Sequence, residues 1–115
     1  MKLLVCGSRR ARDGRPTRRA LDKRRKQISC IIVGGARGVD TFAERWAAAN
    51  GIPCLRIGAL WRYYGDRAGP MRNAWMLKFG LPDRVLALPG GNGTESMVTL
   101  ARAAGVPVTR VKAKR

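Results

Sequence analysis

The chain alternates between two hydrophobic rhythms. Short apolar, β-rich runs occur near residues 2–6, 29–33, 53–57, 83–88 and 106–110. Between them, near 16–27, 39–50, 70–79 and 94–104, the pattern is helical. Val39, Phe42, Ala43, Trp46 and Ala47 make one apolar stripe, and Met97, Leu100, Ala101 and Ala104 make another. The punctuation agrees: Pro16 suits the start of a helix, and Gly51, Gly80 and Gly105 are expected just past helix ends. The first helix has the fewest apolar anchors, Ala20, Leu21 and Ile28, amid many like charges. Regular β-α alternation with short links predicts an α/β fold: a mostly parallel sheet of about five strands, covered by helices on both faces in three layers. Right-handed crossovers then bring the C-terminal end of every strand to one edge, where open α/β sheets bind ligands. The irregular stretch 58–69 is expected to hang over that edge as a flap.

Three strand-to-helix corners are rich in glycine: Cys6-Gly7-Ser8-Arg9, Val33-Gly34-Gly35-Ala36-Arg37-Gly38, and Leu88-Pro89-Gly90-Gly91-Asn92-Gly93-Thr94. A strand ending in such a turn leaves bare backbone N–H groups at the N-terminus of the next helix. Those donors and the positive end of the helix dipole favour an anion, commonly a phosphate. None of the three turns is a G-x-G-x-x-G or a G-x-x-x-x-G-K-[ST] fingerprint. Glycine also simply permits tight corners, so it is the gathering of several turns on one edge that carries weight.

Charge adds a second theme. The net charge is +17 over 115 residues. Residues 9–26 hold Arg9, Arg10, Arg12, Arg15, Arg18, Arg19, Lys23, Arg24, Arg25 and Lys26 against Asp13 and Asp22, and the tail adds Arg110, Lys112, Lys114 and Arg115. Such a distribution attracts polyanions without sequence specificity, although no aromatic residues are interleaved for base stacking. Cys6, Cys30 and Cys54 each lie in an apolar run and read as small buried hydrophobes. With no histidine and no C-x-x-C, a zinc site is not expected, and no cofactor is assigned. No apolar run approaches a membrane span, and Met1–Cys6 reads as a first strand rather than a signal peptide. A cytoplasmic location is expected, with one domain over 1–110 and a basic tail over 111–115.

Gly34-Gly35-Ala36-Arg37-Gly38-Val39-Asp40, then Gly69-Pro70-Met71-Arg72-Asn73 with Met76, then Pro89-Gly90-Gly91-Asn92-Gly93-Thr94, occur in the order and spacing of the SLOG superfamily. The chain most resembles its small stand-alone YspA/YpsA-related branch, over Lys2 to about Val108. The resemblance implies a Rossmann-like fold and a nucleotide or nucleotide-derived ligand. In the DNA-processing protein A (SMF) branch the ligand is single-stranded DNA. Gly90, Gly91, Gly93 and Thr94 match the phosphate turn P-G-G-x-G-T-x-x-E of the "lonely guy" (LOG) phosphoribohydrolases, and Arg72 with Met76 matches their R-x-x-x-M segment. Their catalytic glutamate corresponds to Met97 here. Glu95 lies about 200° away round a helix, so it does not simply replace that carboxylate. No catalytic residue is assigned, and the turn is read as built to bind rather than to cut.

The candidate phosphate or ligand contacts are thus Gly7, Ser8, Arg9, Gly34, Gly35, Arg37, Asp40, Arg72, Asn73, Gly90, Gly91, Gly93 and Thr94. Arg37 and Arg72 suit bidentate phosphate clamps. Asp40 reads equally as a ligand-hydroxyl acceptor or as a favourable charge in a first helical turn. Asn73 reads as a base or ribose contact, or as a partner of its own helix end. Nucleic-acid binding through Arg18, Arg19, Lys23, Arg24, Arg25 and Lys26 is the first alternative, and phosphoribohydrolase activity the second. Trp61, Tyr63 and Tyr64 would stack on a base or pin the flap. The segment 70–79 is apolar on more than one face (Met71, Ala74, Trp75, Met76, Leu77, Phe79), which points to a homodimer.

Overall fold

The computed structural model describes residues 1–113; Lys114 and Arg115 of the basic tail, and the side chain of Trp61, lie outside the described residues. Five strands form one all-parallel sheet: β1 (Lys2–Cys6), β2 (Cys30–Val33), β3 (Cys54–Arg56), β4 (Arg84–Ala87) and β5 (Val108–Arg110). Their order is β3-β2-β1-β4-β5. Five α-helices accompany them: α1 (Arg15–Asp22), α2 (Val39–Ala49), α3 (Trp61–Tyr64), α4 (Ala68–Gly80) and α5 (Asn92–Ala103).

Period-two alternation along each central strand divides its side chains between two cores. Leu3, Val5, Ile31, Val33, Leu86 and Leu88 face α1 and α2, where Ala20, Leu21, Val39, Ala43, Trp46 and Ala47 cover them. Leu4, Cys6, Ile32, Val85 and Ala87 face the other way, against Met76, Met97, Val98 and Ala101 of α4 and α5. Burial on both faces is why these strands read as unbroken apolar runs. The three-layer, Rossmann-like arrangement expected from the sequence is therefore present. No helix among the described residues is long and apolar enough to cross a membrane.

Several local expectations change. The first helix stops at Asp22 and continues as a 3₁₀ turn over Arg25–Gln27. It is anchored more firmly than its sequence suggests: Thr17 is buried beside Ala20 and Leu21, and Trp46 Nε1 of α2 donates to Asp22 at 2.8 Å. The stretch expected to be an irregular flap holds the short helix α3 and a 3₁₀ turn, Gly65–Arg67. There Tyr64 packs edge-on against Trp75, with ring centroids 6.1 Å apart, while Tyr63 is exposed.

Gly80 is the last residue of α4 rather than its left-handed cap. A Cβ on Gly80 would come within 3.1 Å of Ile32, so glycine is spent on close packing, and Leu81 takes the left-handed position (φ 48°). The buried stripe of α5 is Thr94, Met97, Val98 and Ala101, with Ala104 exposed beyond the helix end. Cys6 is buried and Cys30 half-buried, but Cys54 is exposed, because β3 ends the sheet and no strand among the described residues flanks its outer side.

Candidate functional site

The strand order reverses between β1 and β4, and at such a switch point the connections diverge and leave a crevice. The turns after these two strands meet there. Ser8 N donates to Pro89 O at 3.0 Å and Leu88 N to Cys6 O at 2.8 Å. A Cβ on Gly90 would lie 2.1 Å from Thr94 Oγ1 and 2.9 Å from the Gly7 carbonyl carbon. Gly7 is hemmed in equally, by Val39 and Leu88. These two glycines let one turn pack on the other. Thr94 is buried beneath the turn, its hydroxyl against Gly90.

The turn after β2 joins from the other side. Gly38 (φ 70°) lies so close to β1's turn that a Cβ would come 2.2 Å from Ser8 O, and Val39 N donates to that same oxygen at 3.1 Å. Asp40, at the start of α2, turns its carboxylate into the loop: Oδ2 accepts from Gly34 N at 3.2 Å and Ala36 N at 3.1 Å. Two of the N–H groups that would cradle a phosphate on this turn are therefore already bonded to a resident carboxylate. Of the two sequence readings of Asp40, neither anticipated this bond.

Arg72 and Asn73, in the second turn of α4 because the helix starts at Ala68 rather than near residue 70, tie this turn to that of α5. Arg72 donates to Gly34 O at 2.8 Å and to Asn73 Oδ1 at 3.0 Å, and buried Asn73 donates to Gly93 O at 3.3 Å. The Arg72 guanidinium is close enough to Gly34 that a Cβ there would meet it at 2.5 Å. It is half-buried, which lowers its pKa, while nearby Asp40 raises it. Among the described residues it makes no ion pair. Burying a cation without a directly bonded counter-charge is costly, so an anion at this edge would relieve it.

Arg56, at the C-terminal end of β3, escaped the sequence reading. Its guanidinium lies over Gly35, donates to Gly35 O at 3.3 Å and sits 3.1 Å from Glu44 Oε1. That oxygen is buried and accepts no hydrogen bond among the described residues, so the pair is ionic only. Its one sequence signal was an arginine inside the apolar run 53–57. Arg9 and Arg37 are exposed on the same edge.

The α5 turn differs from the other two. Gly91, its N-cap, supplies no side-chain cap, and the N–H groups of Asn92, Gly93 and Thr94 lie in the first turn, where no intrahelical acceptor exists. A Cβ on Gly91 or Gly93 would meet nothing within 4 Å. Open space thus stands before an uncapped helix N-terminus. Glu95, exposed, pairs with Arg110 at the end of β5 (2.6 Å), which holds its pKa down. Met97, where the resemblance would put a catalytic glutamate, is buried in the core against Leu4 and Val85. Of the basic run, Arg18, Arg19, Lys23, Arg25 and Lys26 are exposed and Arg24 half-buried, donating to Ala20 O at 2.6 Å.

Burial raises Asp40 from 3.8 to about 6, against the lowering effect of the Ala36 and Gly34 N–H groups and of Arg72. An acid with a raised folded-state pKa contributes stability that is present below its unfolded value and lost as pH rises through the folded one. The difference in unfolding free energy between wild type and Asp40→Asn should therefore shift by about 2 kcal/mol against wild type between pH 4 and pH 7. Urea unfolding of both proteins across that range checks this. A flat difference would mean that Asp40 titrates normally.

Comparison with known proteins places this edge in context. An X-ray structure of DNA processing protein A (DprA) from Streptococcus pneumoniae superimposes with a TM-score of 0.83 at 19% identity. The match covers 98% of this chain and 50% of that one, so the chain spans about half the length of that protein, and the likeness is one of fold. The Gene 61 protein of Mycobacterium phage D29 is 36% identical over 118 residues, covering 93% of each chain. The family model of the YspA, cpYpsA-related SLOG family matches residues 1–64, which include the turns after β1 and β2. With that model covering more than half of its length, the chain belongs to the YspA, cpYpsA-related SLOG family.

Proposed function

We propose that the protein binds the phosphate of a nucleotide or nucleotide-derived ligand at the N-terminus of α5, beside the β1–β4 switch point. The observation that carries this reading is the open space at Gly91 and Gly93 before an uncapped helix start. In the turns after β1 and β2 the glycines answer to close protein contacts; at Gly91 and Gly93 no atom of the described residues requires them. A phosphate oxygen in that space accepts from first-turn N–H groups and gains from the helix dipole. Arg72, linked to the same turn through Asn73, supplies the balancing charge. The buried Asp40, having taken the donors of the Gly34 turn, leaves that end of the edge for the ligand's uncharged part. With Met97 in the core, the reading is one of binding without glycoside cleavage.

Calorimetry against nucleoside monophosphates, ADP-ribose and cyclic nucleotides tests it. The expected result is binding that Arg72→Ala weakens by about tenfold or more. Absence of binding, or an unchanged Kd in the variant, sinks the reading. Nucleic-acid binding has one observation in its favour, the exposed basic face of α1 and the turn after it. It predicts single-strand affinity that falls steeply with salt and ignores Arg72→Ala. Exposed Phe79 and Leu81 at the end of α4 support the pairing of two copies expected from the sequence.

A further inference from the structure

A second concavity lies on the α1 side of β5, bordered at one end by Leu88 and Pro89 at the base of the α5 turn. On one face β4 and β5 are packed by α5, whereas on the other α1 packs chiefly against α2. The space left is a cavity of about 480 Å³ between α1 and the segment that follows β5. Its floor is mainly aliphatic, with Ala20, Val39, Leu88 and Val111 beside buried Thr17, and exposed Pro16 stands at its margin. Its rim is cationic: Arg19, Lys23, Arg24, Arg110 and Lys112. Asp13 also lines it, but is held by Arg15 at 3.0 Å. Among the described residues, Arg19, Lys23 and Lys112 make no ion pair.

We propose that this trough docks an acidic segment of a partner protein that carries aliphatic side chains. Two features favour a polypeptide over a nucleotide. First, no aromatic ring lines the trough, so bases have nothing to stack on, while aliphatic side chains match its floor. Second, β5 ends the sheet, so its outer N–H and C=O groups face no strand among the described residues. A segment added along that edge gains main-chain hydrogen bonds. Thr109 is in register with Leu86, so Thr109 and Val111 lie on the α1 face. Alternate residues of the added segment then project onto that face. There aliphatic groups meet Ala20 and Val111, and carboxylates meet Arg19, Lys23 and Lys112. Charge complementarity of this kind steers the encounter and selects the register.

The test uses the full chain and three labelled probes: a short peptide alternating Glu and Leu, one alternating Glu and Ser, and a single-stranded oligonucleotide. Anisotropy should show the Glu/Leu peptide binding at least about tenfold tighter than the Glu/Ser peptide. Reversing Arg19→Glu with Lys23→Glu should cost about tenfold, whereas Arg45→Glu with Arg102→Glu, an equal charge change elsewhere, should cost less than about threefold. Amide shifts in the unaltered protein should map to Ala20, Thr109 and Val111, a readout that needs no variant to fold. Equal affinity for both peptides, equal loss in both double variants, or shifts confined to the α5 turn would overturn the proposal. So would displacement of the peptide by the oligonucleotide from those same three residues, which would make the trough a nucleic-acid path.

Discussion

Gly93→Ala is expected to make the protein more stable and worse at binding. Gly93 is the second residue of α5, with nothing within 4 Å of where its Cβ would be. Alanine there relieves the entropic penalty of glycine in a helix, a gain of about 0.5–1 kcal/mol. A helical Cβ leans toward the helix N-terminus, so the added methyl enters the space before the first-turn N–H groups. A phosphate must approach those groups closely, and its affinity should fall at least about tenfold. Thermal melts and nucleotide calorimetry on the same variant read both effects. A stabilised variant that binds as well as wild type would remove the ligand from α5, and would leave Gly93 without explanation.

Gly38→Ala should do the reverse, costing about 3 kcal/mol of stability. Its φ of 70° strains any L side chain, and its Cβ would be 2.2 Å from a backbone oxygen, Ser8 O, which cannot swing away. Gly105→Ala separates the two causes. It shares a positive φ (75°) but meets nothing within 4 Å, so it should cost only about 1–2 kcal/mol, that of the left-handed conformation. For a domain of this size the difference between the variants is several degrees in Tm. Equal losses would show that the β2 turn does not press on β1's turn as tightly as the geometry states. Because Val39 N also bonds Ser8 O, a displaced turn should loosen the start of α2, and with it Asp40.

These paired glycines show what a sequence can and cannot tell. All three glycine corners were legible as corners, since each follows an apolar run and precedes a helical pattern. Their burdens were not. Gly38 and Gly90 are needed for close packing across turns, while Gly91 and Gly93 face open space. Nothing in the one-dimensional pattern separates the two kinds, because the contacts that do so join residues remote in sequence. Asp40 is a similar case: a carboxylate in a first helical turn was visible, but its hydrogen bonds to Gly34 and Ala36 depend on how tightly the loop folds back. Arg56 was missed because only strand pairing brings the end of β3 beside Gly35.

The sequence by itself determined the fold class, the five strands and the four longer helices, and the edge on which the glycine turns gather. Hydrophobic periodicity is local, and the handedness of parallel crossovers leaves little freedom once strands and helices alternate. Only the tertiary structure decided the strand order, which puts the switch point between Gly7 and Gly90 and leaves β5 at the edge of the sheet. It also decided which backbone donors stay open, those of α5 rather than those of the Gly34 turn. The physical reason is common to both: a donor, a charge or a face is available only after every nearer partner has been counted, and those partners come from elsewhere in the chain.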